Sequence, residues 1–491
     1  MNNKINNNTY DVIIIGGGIV GTAILHELSK YNLKTILIER QHDVSEGTTK
    51  GNSGVLHAGF MVPEGSLKAK YNVEGLKLFR ELAQSLNISI LKCGKLVVAK
   101  NDSELPYLKR LLDQGFRNNV KGLSLINEKQ IKQLQPNVRG KHAILSEETS
   151  VLLPYQMAIA LAENAVLNGA SIVLNRAVNK IVSNYNNFII QTDKGEKYKS
   201  KIIINSAGLF ADQIIDLLEE PKEKIFPWRG EYHLLEEDST SVINMAVYPV
   251  PPKDGSGLGV HITPTINGGI LLGPSSDVIT DKDDTSNTGK VLESLRKEAL
   301  ELVPALKPYA TIKNYSGVRP KLFGPSSPFT FKDFIIEEST KYPGMINLLG
   351  IESPGLTAAP AIAKHLTEDL ISKYFPLEYK HGWEYKYRPI PRFKWLNIYE
   401  KQKLWEIDSD FGDVLCQCEQ VTRAEIKQAI YNPLGAVSLH AIRKRTHATL
   451  GYCQSSFCLG AITRELEKNG FDLDSISRGN PTTSMFIGKE I

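Results

Sequence analysis

Four cysteines near the C-terminal end stand in two close pairs, Cys416-Gln417-Cys418 and Cys453-Gln454-Ser455-Ser456-Phe457-Cys458, with 34 residues between the pairs. Paired thiolates, each pair bridged by a short turn, can close around one metal centre with four sulfur ligands. A disulfide framework spreads its cysteines through a short secreted chain, whereas here four of five lie within 43 residues of a 491-residue chain. The clustering points to a metal site in a reducing compartment. The fifth, Cys93, stands alone and reads as a small buried hydrophobe. At the opposite end, Gly16-Gly17-Gly18-Ile19-Val20-Gly21 follows the β-branched run Val12 to Ile15 and opens a helical pattern through Ile24, Leu25, Leu28 and Tyr31. A second apolar strand, Thr35 to Ile38, ends at Glu39. In that order Gly16 makes a tight turn, Gly18 lets a pyrophosphate approach the backbone, and Gly21 lets helix and strand pack closely. The phosphates then sit on the helix N-terminus, and Glu39 accepts from a ribose hydroxyl. The expectation is a Rossmann unit binding a dinucleotide without a 2′-phosphate.

Composition sets the frame for these groups. The length is about three times a common domain of ~150 residues, so two or three domains with a sizeable core are expected. Apolar residues make up 42% and charged residues 23%, which excludes a disordered chain. A net charge of +4 is too small on this length to argue for nucleic acid or an anionic membrane surface. Mean hydropathy is −0.20 and no run of 18 apolar residues occurs, so no transmembrane helix is expected. Met1 to Thr9 is mostly Asn, lacks the apolar stretch of a signal peptide and reads as a disordered tail, so the chain is expected to be cytoplasmic.

Further along, Ala177-Val178 closes a strand-like segment, and Lys201 to Asn205 runs into Ser206-Ala207-Gly208-Leu209-Phe210-Ala211-Asp212. A third buried strand, Ile346 to Ile351, leads through Glu352-Ser353-Pro354-Gly355-Leu356-Thr357 into a helix of small residues. Together with the opening unit, these segments resemble the D-amino-acid-oxidase-like superfamily of flavoproteins. The resemblance implies an α/β fold: a Rossmann-type FAD-binding domain interleaved with an antiparallel-sheet substrate domain, followed by a small cysteine-rich helical domain. It implies FAD-binding segments at about 10–85, 145–225 and 316–375, and substrate segments at about 86–144 and 226–315. A linker at 376–407, rich in aromatics with Pro389 and Pro391, would lead to the C-terminal unit at 408–491. The implied FAD contacts are Gly16, Gly18, Gly21, Glu39, Arg40, Thr49, Asn52, Ser53, Val178, Ala207, Gly208, Gly355, Leu356 and Thr357. A helix starting near Gly355 would aim amide N–H groups and its positive end at the flavin ring.

The same resemblance places His57, at the end of the polar glycine-rich loop Gly47 to Phe60, beside the flavin. A neutral imidazole there could remove a hydroxyl proton as hydride leaves the same carbon; hydrogen bonding to cofactor or backbone, or covalent flavin attachment, are the other readings. Ser316-Gly317-Val318-Arg319-Pro320-Lys321 resembles the family's glycine–apolar–arginine–proline element, making Arg319 the first choice of anion anchor, with Lys321 read as solvated. Arg229, in Pro227-Trp228-Arg229-Gly230-Glu231-Tyr232, is a second anchor or else a structural partner of Glu231. His261 is a substrate contact or a satisfied sheet histidine.

The cysteine segment resembles the bacterioferritin-associated-ferredoxin-like [2Fe–2S] module, with Cys416, Cys418, Cys453 and Cys458 as implied ligands; zinc is the alternative. Ser455 and Ser456 replace two glycines of that pattern, so a positive-φ backbone there would be strained. Thr422 is expected to cap a helix with Glu425, and Arg443, Lys444 and Arg445 are expected to bring positive charge towards the thiolates. Pro154-Tyr155-Gln156, the Ile351 to Thr357 segment and the cysteine module resemble anaerobic-type FAD-dependent glycerol-3-phosphate dehydrogenase, whereas Asn52 to Gly59, Gly259-Val260-His261 and Val318 to Leu322 look equally like L-2-hydroxyglutarate dehydrogenase. Both oxidise the secondary alcohol of a small anionic substrate, and sn-glycerol 3-phosphate is the first choice. Electrons would leave through the cluster to a partner protein or a quinone, which leaves room for peripheral membrane contact. The reading from a different class is a redox-sensing or electron-transfer subunit without its own substrate.

Overall fold

A computed structural model describes residues 8–184, 187–251, 259–324, 331–472 and 476–478. The tail reading for Met1 to Asn7 lies outside the described residues, and Thr9 already belongs to the first strand.

Two large sheets carry the first 350 residues. One takes its strands from Thr9–Ile15, Thr35–Ile38, Ser171–Val173, Lys197–Asn205 and Met345–Leu349, all parallel, with the antiparallel additions Val178–Asn184, Asn187–Thr192 and Ile335–Glu338. The central strands read as unbroken Ile, Val and Leu because both faces are covered. Helices Ile19–Leu28, Leu67–Ser85, Pro154–Leu167 and Gly355–Asp369 share one apolar core on one face, and Ile13, Ile15, Ile36 and Ile203 fill the other.

The second sheet draws on Lys95–Ala99, Leu123–Asn127, His142–Ser146, Phe226–Leu235, Ala246–Pro249, Ile262–Pro264, Ile270–Leu272, Asp277–Val278 and Thr311–Lys321. It is antiparallel except where Lys95–Ala99 runs parallel to Ala246–Pro249, with Lys95 beside Ala246 and Val97 beside Tyr248. The chain therefore leaves and re-enters each sheet repeatedly, the interleaving that the family resemblance implies. Strand Thr311–Lys321 crosses the expected division at 316 and pairs with Phe226–Leu235 over nearly its whole length.

The linker is pinned to the first domain by its aromatics and backbone. Trp383 Nε1 donates to Ser29 Oγ at 3.0 Å, Lys386 N donates to Asn164 Oδ1 at 2.7 Å, and the His26 ring packs against both Trp383 and Tyr385, which also touch each other. Helix Ile398–Ile407, with no buried residue, then leads to a unit of helices Arg423–Ile430, Leu439–Thr446 and Leu459–Lys468 around its own core. Thr422 caps the first of these in a reciprocal capping box with Glu425, as the sequence predicts.

Candidate active site and cysteine centre

A single cavity of about 2190 Å³ runs between the two sheets and on to the cysteine domain. At one end it meets the glycine turn. Gly16 has φ +104°, and a Cβ there would stand 2.7 Å from Ser206 O; a Cβ on Gly21 would stand 2.0 Å from Gly16 O. Each demands glycine for the reason the spacing suggested. Gly18 gives helix Ile19–Leu28 no side-chain cap; Thr49 Oγ1 accepts from Ile19 N at 2.9 Å, and Gly17, Gly18 and Val20 line the cavity beside it. Glu39 accepts from Gly17 N at 2.5 Å and Gln41 N at 2.9 Å, and burial raises its pKa. Each carboxylate oxygen keeps a further lone pair for a hydroxyl.

Arg40 lines the same end, stacked 3.8 Å from the Phe210 ring centroid and paired with Asp283. Asn52, Ser53, Ala207, Gly208, Gly355 and Leu356 also line the cavity. Val178 does not; it packs against the apolar cluster on the second face of the first sheet. Thr357 acts from behind the wall, accepting from His57 N at 3.0 Å. An uncapped helix start, open space beside Gly208 and a buried acid at the strand end fit a dinucleotide with flavin, held by these residues.

His57 is fixed from two sides, since Asn72 Nδ2 donates to its carbonyl at 2.8 Å. Burial first, then the charge of Lys95, pulls its pKa down to about 3, so the imidazole is neutral. Arg319 lines the cavity with Nη2 donating to Ser275 O at 2.6 Å. Arg229 is not brought there. Its guanidinium meets Asp284 at 2.6 Å, Ser286 Oγ at 2.7 Å and Glu231 at 3.2 Å, the structural alternative. Lys321 is not solvated either: it lies 4.7 Å from the Trp228 ring centroid, and Glu352, which it approaches at 3.8 Å, holds Lys68 at 3.0 Å.

His261 faces the cavity opposite Tyr248 on the neighbouring strand, the two rings stacked at 3.5 Å and 7°. Next to them stands Lys95, buried at 1% exposure, which the sequence reading passed over. Its signal was available: a lysine opens the apolar run Leu96 to Ala99, on the same side of the strand as Val97 and Ala99.

At the far end Cys418, Glu419, Gly451 and Tyr452 line the same cavity. Cys418 Sγ lies 3.5 Å from Cys453 Sγ and 3.9 Å from Cys416 Sγ, and Cys458 packs in the same core. A Cβ on Gly451 would stand 2.4 Å from Cys418 Sγ. Convergent thiols with both ends of Arg392 buried and without a hydrogen-bond partner fit a centre of net negative charge held by the four cysteines. Ser455 has φ +76° and Gln454 φ +49°, the strained backbone that the glycine-to-serine change implied; Ser456 is not in that region. Of the three basic residues expected near the thiolates, only Arg443 is there, its Nε on Thr449 Oγ1 at 2.8 Å. Lys444 and Arg445 turn the other way, because three buried acids of the first domain draw them: Asp43, Glu46 and Glu163. Cys93 packs with the paired Val55 and Val151, as a small hydrophobe should.

Residues 11–369 match the FAD dependent oxidoreductase family model, and residues 414–468 match the BFD-like [2Fe-2S] binding domain. A glycerol 3-phosphate dehydrogenase of Caloramator mitchellensis is 35% identical over 482 residues, covering 98% of each chain. The mitochondrial L-2-hydroxyglutarate dehydrogenase of Arabidopsis thaliana is 31% identical, over 74% of this chain and 83% of its own. Among solved structures, dithionite-reduced L-alpha-glycerophosphate oxidase from Mycoplasma pneumoniae with FAD bound superposes with a TM-score of 0.71 at 30% identity, over 77% of this chain and 98% of the other. Among the described residues no helix is long and apolar enough to cross a membrane.

Proposed function

This chain belongs to the FAD-dependent oxidoreductase family and carries a [2Fe–2S]-binding domain, and from that premise we propose that it oxidises sn-glycerol 3-phosphate to dihydroxyacetone phosphate. The observation that carries the substrate is similarity to a glycerol 3-phosphate dehydrogenase along the whole chain, cysteine domain included. FAD, when bound, supplies the hydride acceptor, and the iron–sulfur centre takes the electrons singly. The chain's own residues do the rest. The amides at the start of helix Gly355–Asp369 and the loop through Ser53 orient the ring, and Thr357 and Asn72 hold His57 where a neutral imidazole nitrogen accepts the hydroxyl proton. Arg319 offers its remaining donors to the substrate's anion. The two sheets, closing over the cavity, keep water from the reacting carbon.

The acceptor is a partner protein or quinone reached from the cysteine domain, and the working location is the cytoplasm. The test is anaerobic reduction of the FAD-loaded protein by a panel of polyol phosphates and 2-hydroxy acids. Bleaching by sn-glycerol 3-phosphate at the lowest concentration supports the reading. Bleaching by L-2-hydroxyglutarate alone transfers the chain to that substrate, and bleaching by none makes it an electron-transfer subunit.

A further inference from the structure

An ammonium group almost entirely out of water normally has a carboxylate beside it, because an unpaired buried charge is costly. Lys95 has none: among the described residues no acidic side chain lies within ion-pairing distance of its Nζ. What surrounds it is soft and aromatic. Nζ lies 4.5 Å from the Phe60 ring centroid, 4.8 Å from that of Tyr248 and 3.6 Å from Met61 Sδ. Two ring faces attract a cation without neutralising it. The placement follows from strand register. Lys95 pairs with Ala246 and Val97 with Tyr248, so Lys95 and Tyr248 stand diagonally on one face of the sheet, and that face lines the cavity.

Of the other cations that line the cavity, four are engaged wholly or in part. Lys68 and Lys321 share Glu352, Arg40 holds Asp283, and Arg319, with Nη2 on backbone carbonyls, has only its remaining donors for the same anion that Lys95 would meet. Lys95 is close enough to His57 for its charge to add to the burial that holds that imidazole neutral.

We propose that Lys95 is a substrate-binding residue: its ammonium, steadied by Phe60 and Tyr248, receives the anionic group of the substrate and so selects phosphorylated over neutral polyols. The inference rests on the functional reading above. Burial without a counter-charge brings the free amine down to about 7, and an arriving phosphate supplies the missing partner. The substrate anion thus completes an ion pair that the fold leaves open, which places discrimination in binding rather than in the chemical step.

The test compares wild type with Lys95→Met, which keeps the length and apolar stem and removes the charge. FAD content and melting temperature establish that the variant is loaded and folded; if it is not, Lys95→Gln takes its place. The ratio of kcat/KM for sn-glycerol 3-phosphate over glycerol is expected to fall at least ~100-fold, mainly through KM, and Lys95→Arg to restore most of it. Calorimetric titration with inorganic phosphate should show Kd at least ~10-fold higher in the charge-free variant. An unchanged ratio and an unchanged phosphate Kd overturn the proposal. If wild type is reduced only by L-2-hydroxyglutarate, the functional reading fails on its own. The Lys95 comparison is then made with 2-hydroxypentanoate as the less charged partner, with the same expected loss of preference. Reduction by neither substrate class overturns both.

Discussion

Arg445 Nη1 donates to Asp43 Oδ2 at 2.7 Å across 402 residues of sequence, and Arg445 Nε donates to Glu163 Oε1 at 2.9 Å. Lys444 beside it meets Asp43 at 2.9 Å and Glu46 at 2.6 Å, and none of these five side chains is more than 8% exposed. Such a network adds little stability over an apolar seam, since both partners lose water. Its geometry is another matter. Charges buried this deeply tolerate few alternative pairings, so one orientation of the cysteine domain leaves every one of them compensated. That orientation puts Cys418 on the wall of the cavity that begins at Gly16.

Removing Arg445 tests the seam directly. Arg445→Met leaves Asp43 and Glu163 buried without their guanidinium, a loss of about 3–5 kcal/mol. Hydrogen exchange in helix Leu439–Thr446 is expected to accelerate by a factor of hundreds or more, while strand Thr9–Ile15 keeps its protection and FAD stays bound. Protection equal to wild type in that helix would show that apolar contacts alone hold the domain.

The same seam sets a pH dependence whose sign is fixed by its acids. Burial pushes Asp43 up, but Arg445 and Lys444 together bring it below its usual 3.8; Glu46 is likewise opposed by burial and drawn well below 4.5 by Lys444, His440 and Lys50. Folded values lower than unfolded ones give stability that is complete above about pH 4.5 and is lost as pH falls through the folded values. Glu163 runs the other way, burial raising it in spite of Arg445, and so offsets part of the loss. Acid titration should therefore release the C-terminal helices below pH 4, and Lys444→Met should move that transition to higher pH. A transition that does not move would take Lys444 out of the account.

Local elements were legible from the chain because local rules govern them. The turn at Gly16 needs positive φ, the Thr422 cap needs Glu425 three residues on, and Gly21 must clear Gly16 O. Misreadings arose where partners are remote in sequence. Lys444 and Arg445 read as positive charge for the thiolates because their acids lie about 280 to 400 residues away; for Arg229 the sequence leaves anchor and Glu231 partner both open, and Asp284 and Ser286, from another strand's loop, favour the second. Lys95 was passed over because only the parallel pairing with Ala246–Pro249 brings Tyr248 beside it.

Arg319 and Arg229 stand one register step apart on paired strands, opposite Trp228 and Val318 and so on opposite faces, and should separate in kinetics. Arg319→Ala removes a charge-assisted contact worth about 2–4 kcal/mol in a desolvated site, roughly 30- to 1,000-fold in kcat/KM, with FAD retained. Arg229→Ala leaves Asp284 and buried Glu231 unpaired and should lower the melting temperature by several degrees, with a much smaller change in KM. Equal kinetic losses from the two would mean that Arg229 reaches the substrate after all.

Ser455 occupies the left-handed region at φ +76°, where a Cβ costs about 1 kcal/mol or more. Ser455→Gly relieves that strain beside Cys453 and Cys458 and should lengthen the lifetime of the iron–sulfur absorbance under a chelator several-fold. A lifetime no longer than wild type would assign the bend to something other than side-chain strain.

The match of residues 414–468 to the BFD-like [2Fe-2S] binding domain, with Cys418 on the cavity that also holds His57, supports an electron exit and not a site of substrate chemistry. Oxidising an alcohol delivers two electrons together, whereas an iron–sulfur centre accepts one, so the flavin must stand between them. None of the four cysteines lies among the residues that hold His57 or Arg319. Cys453→Ser is thus expected to abolish the iron–sulfur signal in electron paramagnetic resonance while anaerobic flavin bleaching by substrate keeps its rate within a factor of about two to three. Turnover with the natural acceptor should fall by orders of magnitude. If the variant keeps FAD and fold yet loses flavin bleaching, the cluster supports the substrate site itself. If anaerobically purified wild type holds zinc and no iron, the domain is a structural clip and the electrons leave from the flavin.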